Sequence, residues 1–391
     1  MNEIGIGLIG AGFAADLHAR MVHELSGTGV RIVGVASKTP AKAQAFAQRH
    51  GIARAHDDLG GLLSDPRIAI IDLCVPNYMH KDLVIQAARS GKHVICEKPL
   101  TGYFGDGSDG AGHAPRSAML EQALANADEM LAACREHGVK LMYAENWVYA
   151  PALQKVERLA RASGGAILDL RAEESHHGSA SPYSLHWKYT GGGALIRLGS
   201  HPIGGMLHLK RQEGLWRNGQ PITARAVTAE VADLTQVPSF AASDAPWIVR
   251  GWKDVENWST VIITFSDGTK GTVFANDVCL GGMKDYLEVY LSNARIQCNF
   301  SRNNLIETYA PDPAVFESEY LAEKLETKAG WNFPPADEEW ALGYLRELRD
   351  FIEAVQFDRE PLSDGALGRA VVNVMYSAYL AAEQGRTVQI S

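Results

Sequence analysis

The sequence predicts an α/β protein of two domains: a doubly wound parallel sheet, then an α+β domain built on an antiparallel sheet. Three observations predict this. Apolar strand-like runs alternate with helical stretches through roughly the first third of the chain, joined by short loops. Beyond about residue 145 the pattern changes to strands separated by SDGT and SN turns. A length of 391 residues also exceeds one ordinary domain. The expected domains are residues 1–145 and 146–391.

Taken in order, IGIGLIG is a short apolar run expected to form a buried strand, and AGFAADLHARMVHEL follows with helical spacing. RIVGVAS reads as a strand and AKAQAFAQRHG as a helix stopped by Gly51. IAIIDLCV, KDLVIQAARSG and KHVICE repeat the alternation, which AMLEQALANADEMLAACREHG and KLMYAE close. Residues 102–117, GYFGDGSDGAGHAPRS, interrupt it with a polar loop at the sheet edge where ligands gather. A lid and a plain insertion both fit that loop.

In the second domain ILDLRAEES, AVTAEVADL, WSTVIITFSDGTKGTVFAND, YLEVYLSN and ARIQCNFS read as strands. Among them lies GGGALIRLGSHPIGGMLHLK, read as one helix with Arg197 and His201 four residues apart on one face. EEWALGYLRELRDFIEAVQ and ALGRAVVNVMYSAYLAAEQG close the chain as two helical stretches.

Composition narrows the function classes. Hydrophobic residues make up 46% and charged residues 21%, which is the balance of a globular protein with a full core. A net charge of -9 argues against nucleic acid, whose phosphates demand a basic surface. Cys74, Cys96, Cys134, Cys279 and Cys298 show no metal-ligand spacing, so buried reduced thiols and no metal are expected. The start carries no leader pattern, and no apolar run reaches bilayer length, so a cytoplasmic protein without membrane contact is expected.

Gly10-Ala11-Gly12-Phe13-Ala14-Ala15 matches G-x-G-x-x-G/A, directly after a strand and opening a helix. Gly10 permits the tight turn, Gly12 lets a pyrophosphate reach the backbone, and Ala15 allows close helix–strand packing. This predicts a Rossmann domain holding NAD or NADP, with Phe13 and Ala14 at the cofactor. At the end of the second strand Ser37-Lys38-Thr39 stand where NAD enzymes carry an acid. Lys38 can meet a 2′-phosphate or remain in solvent, so the phosphate form stays open.

Val75-Pro76-Asn77 with His80, the element Glu97-Lys98-Pro99, and GGGAL followed by His201 complete a pattern. Together with the glycine motif it resembles the Gfo/Idh/MocA oxidoreductases, over nearly the whole chain. The resemblance implies that the second domain's sheet is open and mostly antiparallel, that the cofactor lies across the cleft, and that a sugar or cyclitol ring stacks on it. It implies cofactor contacts from Pro76, Asn77, His80, Glu97 and Asn146, and a homo-oligomer paired through the C-terminal sheet. Lys98 is then the lysine between nicotinamide ribose and substrate hydroxyl, with Pro99 fixing its turn. His201 is the catalytic histidine, since oxidising a carbinol needs a base at the hydroxyl proton.

The sequence departs from that family at Arg197, where inositol-dehydrogenase-like members carry an aspartate that orients the histidine. A guanidinium cannot be a base. It is expected to favour a neutral His201 and to leave more of the proton relay to Lys98. Two uses for Arg197 are open: a forked contact with an acidic substrate, or an ion pair with Glu173, Glu174 or Glu145. His176, His177, Tyr183, Trp187 and Lys188 crowd the same region as substrate-binding candidates.

The expected function is hydride transfer from a ring hydroxyl of a sugar, cyclitol or glycoside, with an acidic group on the substrate if Arg197 binds it. The alternative is a redox-neutral glycosidase working by transient C3 oxidation and elimination. Its second acid–base group would come from His176, His177, Glu173 or Tyr183. The third reading, a cofactor-binding sensor without turnover, rests on the missing aspartate.

Overall fold

A computed structural model describes residues 3–25, 29–179, 181–243, 247–302 and 304–390. Met1 and Asn2, at the start read as leaderless, lie outside them. Six strands form the first sheet: β1 (Ile4–Ile9), β2 (Val30–Ala36), β3 (Ala55–His56), β4 (Ile68–Leu73), β5 (His93–Glu97) and β6 (Leu141–Ala144). All pair in parallel, in the order β3-β2-β1-β4-β5-β6. The order reverses at β1, and ligands bind at the carboxyl ends beside such a switch. All six residues of β1 are buried, because helices cover both faces of a parallel sheet.

The second sheet holds β7 (Ile167–Ser175), β8 (Ala224–Ala232), β9 (Trp258–Phe265), β10 (Lys270–Asn276), β11 (Lys284–Leu291) and β12 (Arg295–Asn299). A small hairpin, β13 (Thr308–Ala310) with β14 (Gly330–Asn332), stands apart from it, and β15 (Val388–Gln389) closes the large sheet. Its order is β12-β11-β7-β10-β9-β8-β15, antiparallel except for the parallel pair β7–β10. Alternating burial along β9 and β11 gives the sheet one packed face and one open face. The packed face carries the helix Ser200–Asn218, whose first eleven residues are all buried. The last helix, Gly365–Gln384, lies against that helix and also against Arg116–Glu136 of the first domain. Among the described residues, no helix is long and apolar enough to cross a membrane.

Two expected helices are broken. GGGALIRLGSHP forms one turn, Ala194–Arg197, and a separate helix from Ser200. The Glu256 carboxylate accepts from the N–H groups of Gly193 and Leu195, which fixes the short turn. The Gly199 N–H bonds back to the Ala194 carbonyl, so the ladder does not run through. Arg197 and His201 therefore do not share a helix face. The stretch from Glu338 is likewise cut at Gly343, which has φ of +94° and whose absent Cβ would lie 2.5 Å from Ala150 N.

The loop 102–117 packs as part of the fold. Its Tyr103 N–H donates to the Tyr376 hydroxyl, its Gly112 N–H donates to Asp254, and Arg116 lies over the Trp187 ring. It lines none of the cleft between Lys98 and His201.

Gly10 is doubly constrained, with φ of +122° and only 2.1 Å between its built Cβ position and the Cys74 carbonyl oxygen. Gly10→Ala is expected to cost at least about 1–3 kcal/mol, the range for a strained backbone residue. A lowered urea midpoint with unchanged slope is the measurement that checks it.

Candidate active site

A cleft of about 400 Å³ opens between the two domains. One wall is the first turn of the helix Phe13–Glu24. Gly12 precedes it with no side-chain cap, and a Cβ built at Gly12 would meet nothing within 4 Å. Uncapped N–H groups beside open space suit a pyrophosphate. Phe13, 69% exposed, and Ala14 line the cleft, while Ala15 is fully buried. The residues thus fit a dinucleotide. Pro76, Asn77 and Glu97 line the same cleft, and Asn77 is held by donating to the Thr190 carbonyl at 3.0 Å. Asn146 also lines it, anchored on the Leu342 carbonyl at 2.9 Å.

Beneath this wall runs a buried polar group that composition alone did not reveal. His18 Nδ1 lies 2.9 Å from Asp72, and its Nε2 lies 3.1 Å from Glu97 Oε1. Burial disfavours a charged ring there, but Asp72 and Cys74 outweigh it and raise the pKa of His18 well above its usual value. His18, Asp72 and Cys74 are the one group among the described residues close enough to hold a metal ion. Burial and Asp72 push the Cys74 thiol up to about 12.

Lys98 enters from the end of β5, past a cis bond to Pro99. Its Nζ donates to the Arg197 carbonyl at 2.7 Å. His201, at the start of the long helix, faces the same cleft. Its Nδ1 lies 2.7 Å from Glu145 Oε1, and Glu145 is fully buried just after β6. The Trp147 ring lies nearly parallel to the imidazole, 6.1 Å away. Glu145 thus brings a carboxyl from the end of the first sheet to the imidazole. Burial, then Lys98, lowers the pKa of His201 to about 4, so the ring is neutral at pH 7. Burial raises the pKa of Glu145 well above the usual carboxyl range.

Arg197 lines the same cleft but pairs with neither Glu145 nor His201. Its guanidinium grips Asp277 with both terminal nitrogens and lies 5.0 Å from the Trp252 ring centroid. The expected partners Glu173, Glu174 and Glu145 are not used. Asp277, the residue after β10, was not foreseen because it lies 80 positions away. The neutral state of His201 comes from burial and Lys98 rather than from Arg197. Truncating either side of this buried pair is expected to cost about 3–5 kcal/mol. Urea unfolding of Arg197→Ala and Asp277→Ala checks this, and neutral and acidic sugars should lose binding alike.

Several candidates point elsewhere. The buried Trp187 donates to the Tyr103 carbonyl at 2.9 Å and packs on Tyr379, so it is core rather than a substrate platform. Lys188 pairs with Asp109 at 2.8 Å, and His177 lies 3.3 Å from Glu326. None of these three lines the cleft. His80 is wholly buried, with its ring nitrogens on the carbonyls of Pro99 and Val75, so it braces the Lys98 turn without facing a cofactor. Ser37 and Lys38 lie past the end of β2 and outside this cavity. His176 and the half-exposed Tyr183 do line it. The His176 Nδ1 accepts from the Gly178 N–H at 2.8 Å, which leaves the other nitrogen as the donor.

Comparison with known proteins gives the family and the fold. Residues 4–116 match the family described as "Oxidoreductase family, NAD-binding Rossmann fold", and residues 153–297 match the GFO/IDH/MocA C-terminal domain. Levoglucosan dehydrogenase of Pseudarthrobacter phenanthrenivorans is 26% identical over 381 residues, covering 91% of this chain and 90% of that protein. D-apiose dehydrogenase of Paraburkholderia graminis is 31% identical over 160 residues, 41% of this chain and 36% of that one. Among solved structures, GenD2 from gentamicin A biosynthesis in complex with NAD superposes with a TM-score of 0.80 at 23% identity, covering 100% of this chain and 97% of the other. Levoglucosan dehydrogenase in complex with NADH and levoglucosan gives 0.72 at 21%, covering 100% of both chains. The chain belongs to the Gfo/Idh/MocA oxidoreductase family, with an NAD-binding Rossmann domain in front of that family's C-terminal domain.

Proposed function

We propose that the chain is a nicotinamide-dependent dehydrogenase that oxidises a ring hydroxyl of a sugar, cyclitol or glycoside. One observation carries this reading: Lys98 and His201 converge on the cleft that the glycine-motif helix opens into, with Glu145 buried against the His201 ring. The sugar-dehydrogenase names of the relatives support the substrate class. Bound across the cleft, the oxidised nicotinamide supplies the hydride acceptor. The chain's own residues handle the proton: the substrate hydroxyl gives it to His201 while Glu145 holds the far ring nitrogen. Lys98, fixed on the Arg197 carbonyl, donates to the same oxygen and orients it. Arg197 lines the cleft, but its terminal nitrogens are held by Asp277, which counts against an acidic substrate. Glu145 takes the role of the missing aspartate, so the sensor reading loses its support.

A redox-neutral glycosidase remains the second reading, favoured by His176 and Tyr183 in the cleft wall. Glu173 does not serve it, being paired with Lys284 at 2.7 Å. The test incubates the purified protein with NAD or NADP and a panel of free sugars, cyclitols and aryl glycosides. Reduced cofactor formed in step with oxidised sugar supports the dehydrogenase. Aglycone released without net reduction supports the glycosidase, and silence in both channels contradicts the two together.

A further inference from the structure

Opposite Lys98 and His201, the cleft is walled by the ends of β7 and β11. Glu174 of β7 and Asp285 of β11 stand directly across from each other in the antiparallel register. Such cross-strand partners hold their Cβ atoms about 4.5–5.5 Å apart on one face. Glu173 points to the other face, where it meets Lys284. Both Glu174 and Asp285 line the cleft, and they are 6% and 3% exposed.

The two carboxyls differ from the other acids of the cleft in one respect. Glu97 faces His18 at 3.1 Å, and Glu323 has Lys324 at 3.9 Å. Among the described residues, neither Glu174 nor Asp285 has a cation within ion-pair distance. Asp285 accepts from the Ser301 N–H and hydroxyl, so its oxygens are occupied. Glu174 Oε2 is buried with no hydrogen-bond partner at all. An unpaired buried carboxyl oxygen beside a second carboxyl is costly, and a protein keeps one where a ligand completes it.

We propose that Glu174 and Asp285 form a subsite for an ammonium group, so that the ring oxidised here belongs to an amino sugar or aminocyclitol. The pair supplies the negative charge, Glu174 Oε2 accepts an N–H directly, and the ligand is the counterion that the chain itself omits. A neutral hydroxyl satisfies the oxygen but brings no charge. Burial pushes both carboxyls up to about 7, and a bound cation draws them back toward the ionised form. Lys98 and His201 also face Glu174, but neither makes an ion pair with it, and each has its own task at the reacting hydroxyl. The proposal rests on the dehydrogenase reading only for treating this cleft as the substrate site.

Calorimetric titration of the NAD-loaded protein tests it with matched ligands. These are glucose against 2-amino- and 3-amino-2- or 3-deoxyglucose, scyllo-inositol against its monoamine, and methyl glucuronide as the acidic control. At least one amine is expected to bind about tenfold or more tightly than its hydroxyl partner, a difference of about 1.4 kcal/mol. Glu174→Gln and, separately, Asp285→Asn should collapse that ratio toward one, whatever happens to absolute affinity. Equal binding within every pair, tighter binding of the glucuronide, or a ratio that survives in both variants overturns the subsite. Reduced cofactor is followed in parallel. Its absence with every ligand counts against the dehydrogenase reading, while the binding ratio still decides the ammonium site.

Discussion

Glu145→Ala is expected to lower alcohol oxidation by about 10²–10⁴-fold in kcat/KM, as far as His201→Ala lowers it. The double variant should fall little further, because groups that act as one unit do not lose activity additively. The reason is the 2.7 Å contact between His201 Nδ1 and the buried Glu145. Without the carboxylate, nothing holds the ring with its other nitrogen free to take a proton, and the developing imidazolium has no partner. Steady-state rates of the two single variants and the double check this. Additive losses would mean that the two residues work separately.

Lys98→Met carries the second large effect, about 10²–10⁴-fold in kcat/KM. Methionine keeps most of the length but cannot donate to the substrate oxygen or to the Arg197 carbonyl that Lys98 holds at 2.7 Å. A further change follows on Glu145. Burial raises its pKa and the Lys98 charge lowers it, so removing the cation lets the carboxyl hold its proton to higher pH. Oxidation by the variant should therefore fail at a higher pH on the acid side than in the wild type. Cofactor affinity measured alongside separates lost chemistry from weakened binding.

Much of the frame was legible because its causes are local. Gly10 and Gly12 follow a strand and open a helix, and both the turn and the open approach follow from that position alone. Strand alternation along β9 and β11 was likewise readable, since period two is set by the backbone. Lys98 and His201 could be named from the Glu97-Lys98-Pro99 and GGGAL elements.

Partnerships were harder to see. Glu145 and His201 are 56 residues apart, and Arg197 and Asp277 are 80 apart. Each pair meets only because the fold carries a strand end to the end of a distant helical segment. The break at Leu198–Gly199 was hidden too, because it depends on Glu256 capping the short turn from a distant segment. Trp187, Lys188 and His177 have the residue types of a carbohydrate site, but residue type does not give direction. Glu174 had a usable signal: two adjacent acids at the end of a strand must face opposite ways, so one of them faces the core side.

The central claim is that Glu145 supplies the acid that position 197 lacks, and a pH profile of oxidation tests it most directly. Burial raises the pKa of Glu145 well above its ordinary value, so the carboxylate is present above that raised pKa and lost as pH falls through it. The 2.7 Å contact couples this titration to that of His201, so the limb belongs to the pair. In the wild type, log kcat/KM should rise with pH at a slope of about one through a limb above the usual carboxyl range. In Glu145→Gln that limb should vanish, leaving a low and flat rate. An identical limb in the variant would contradict the account.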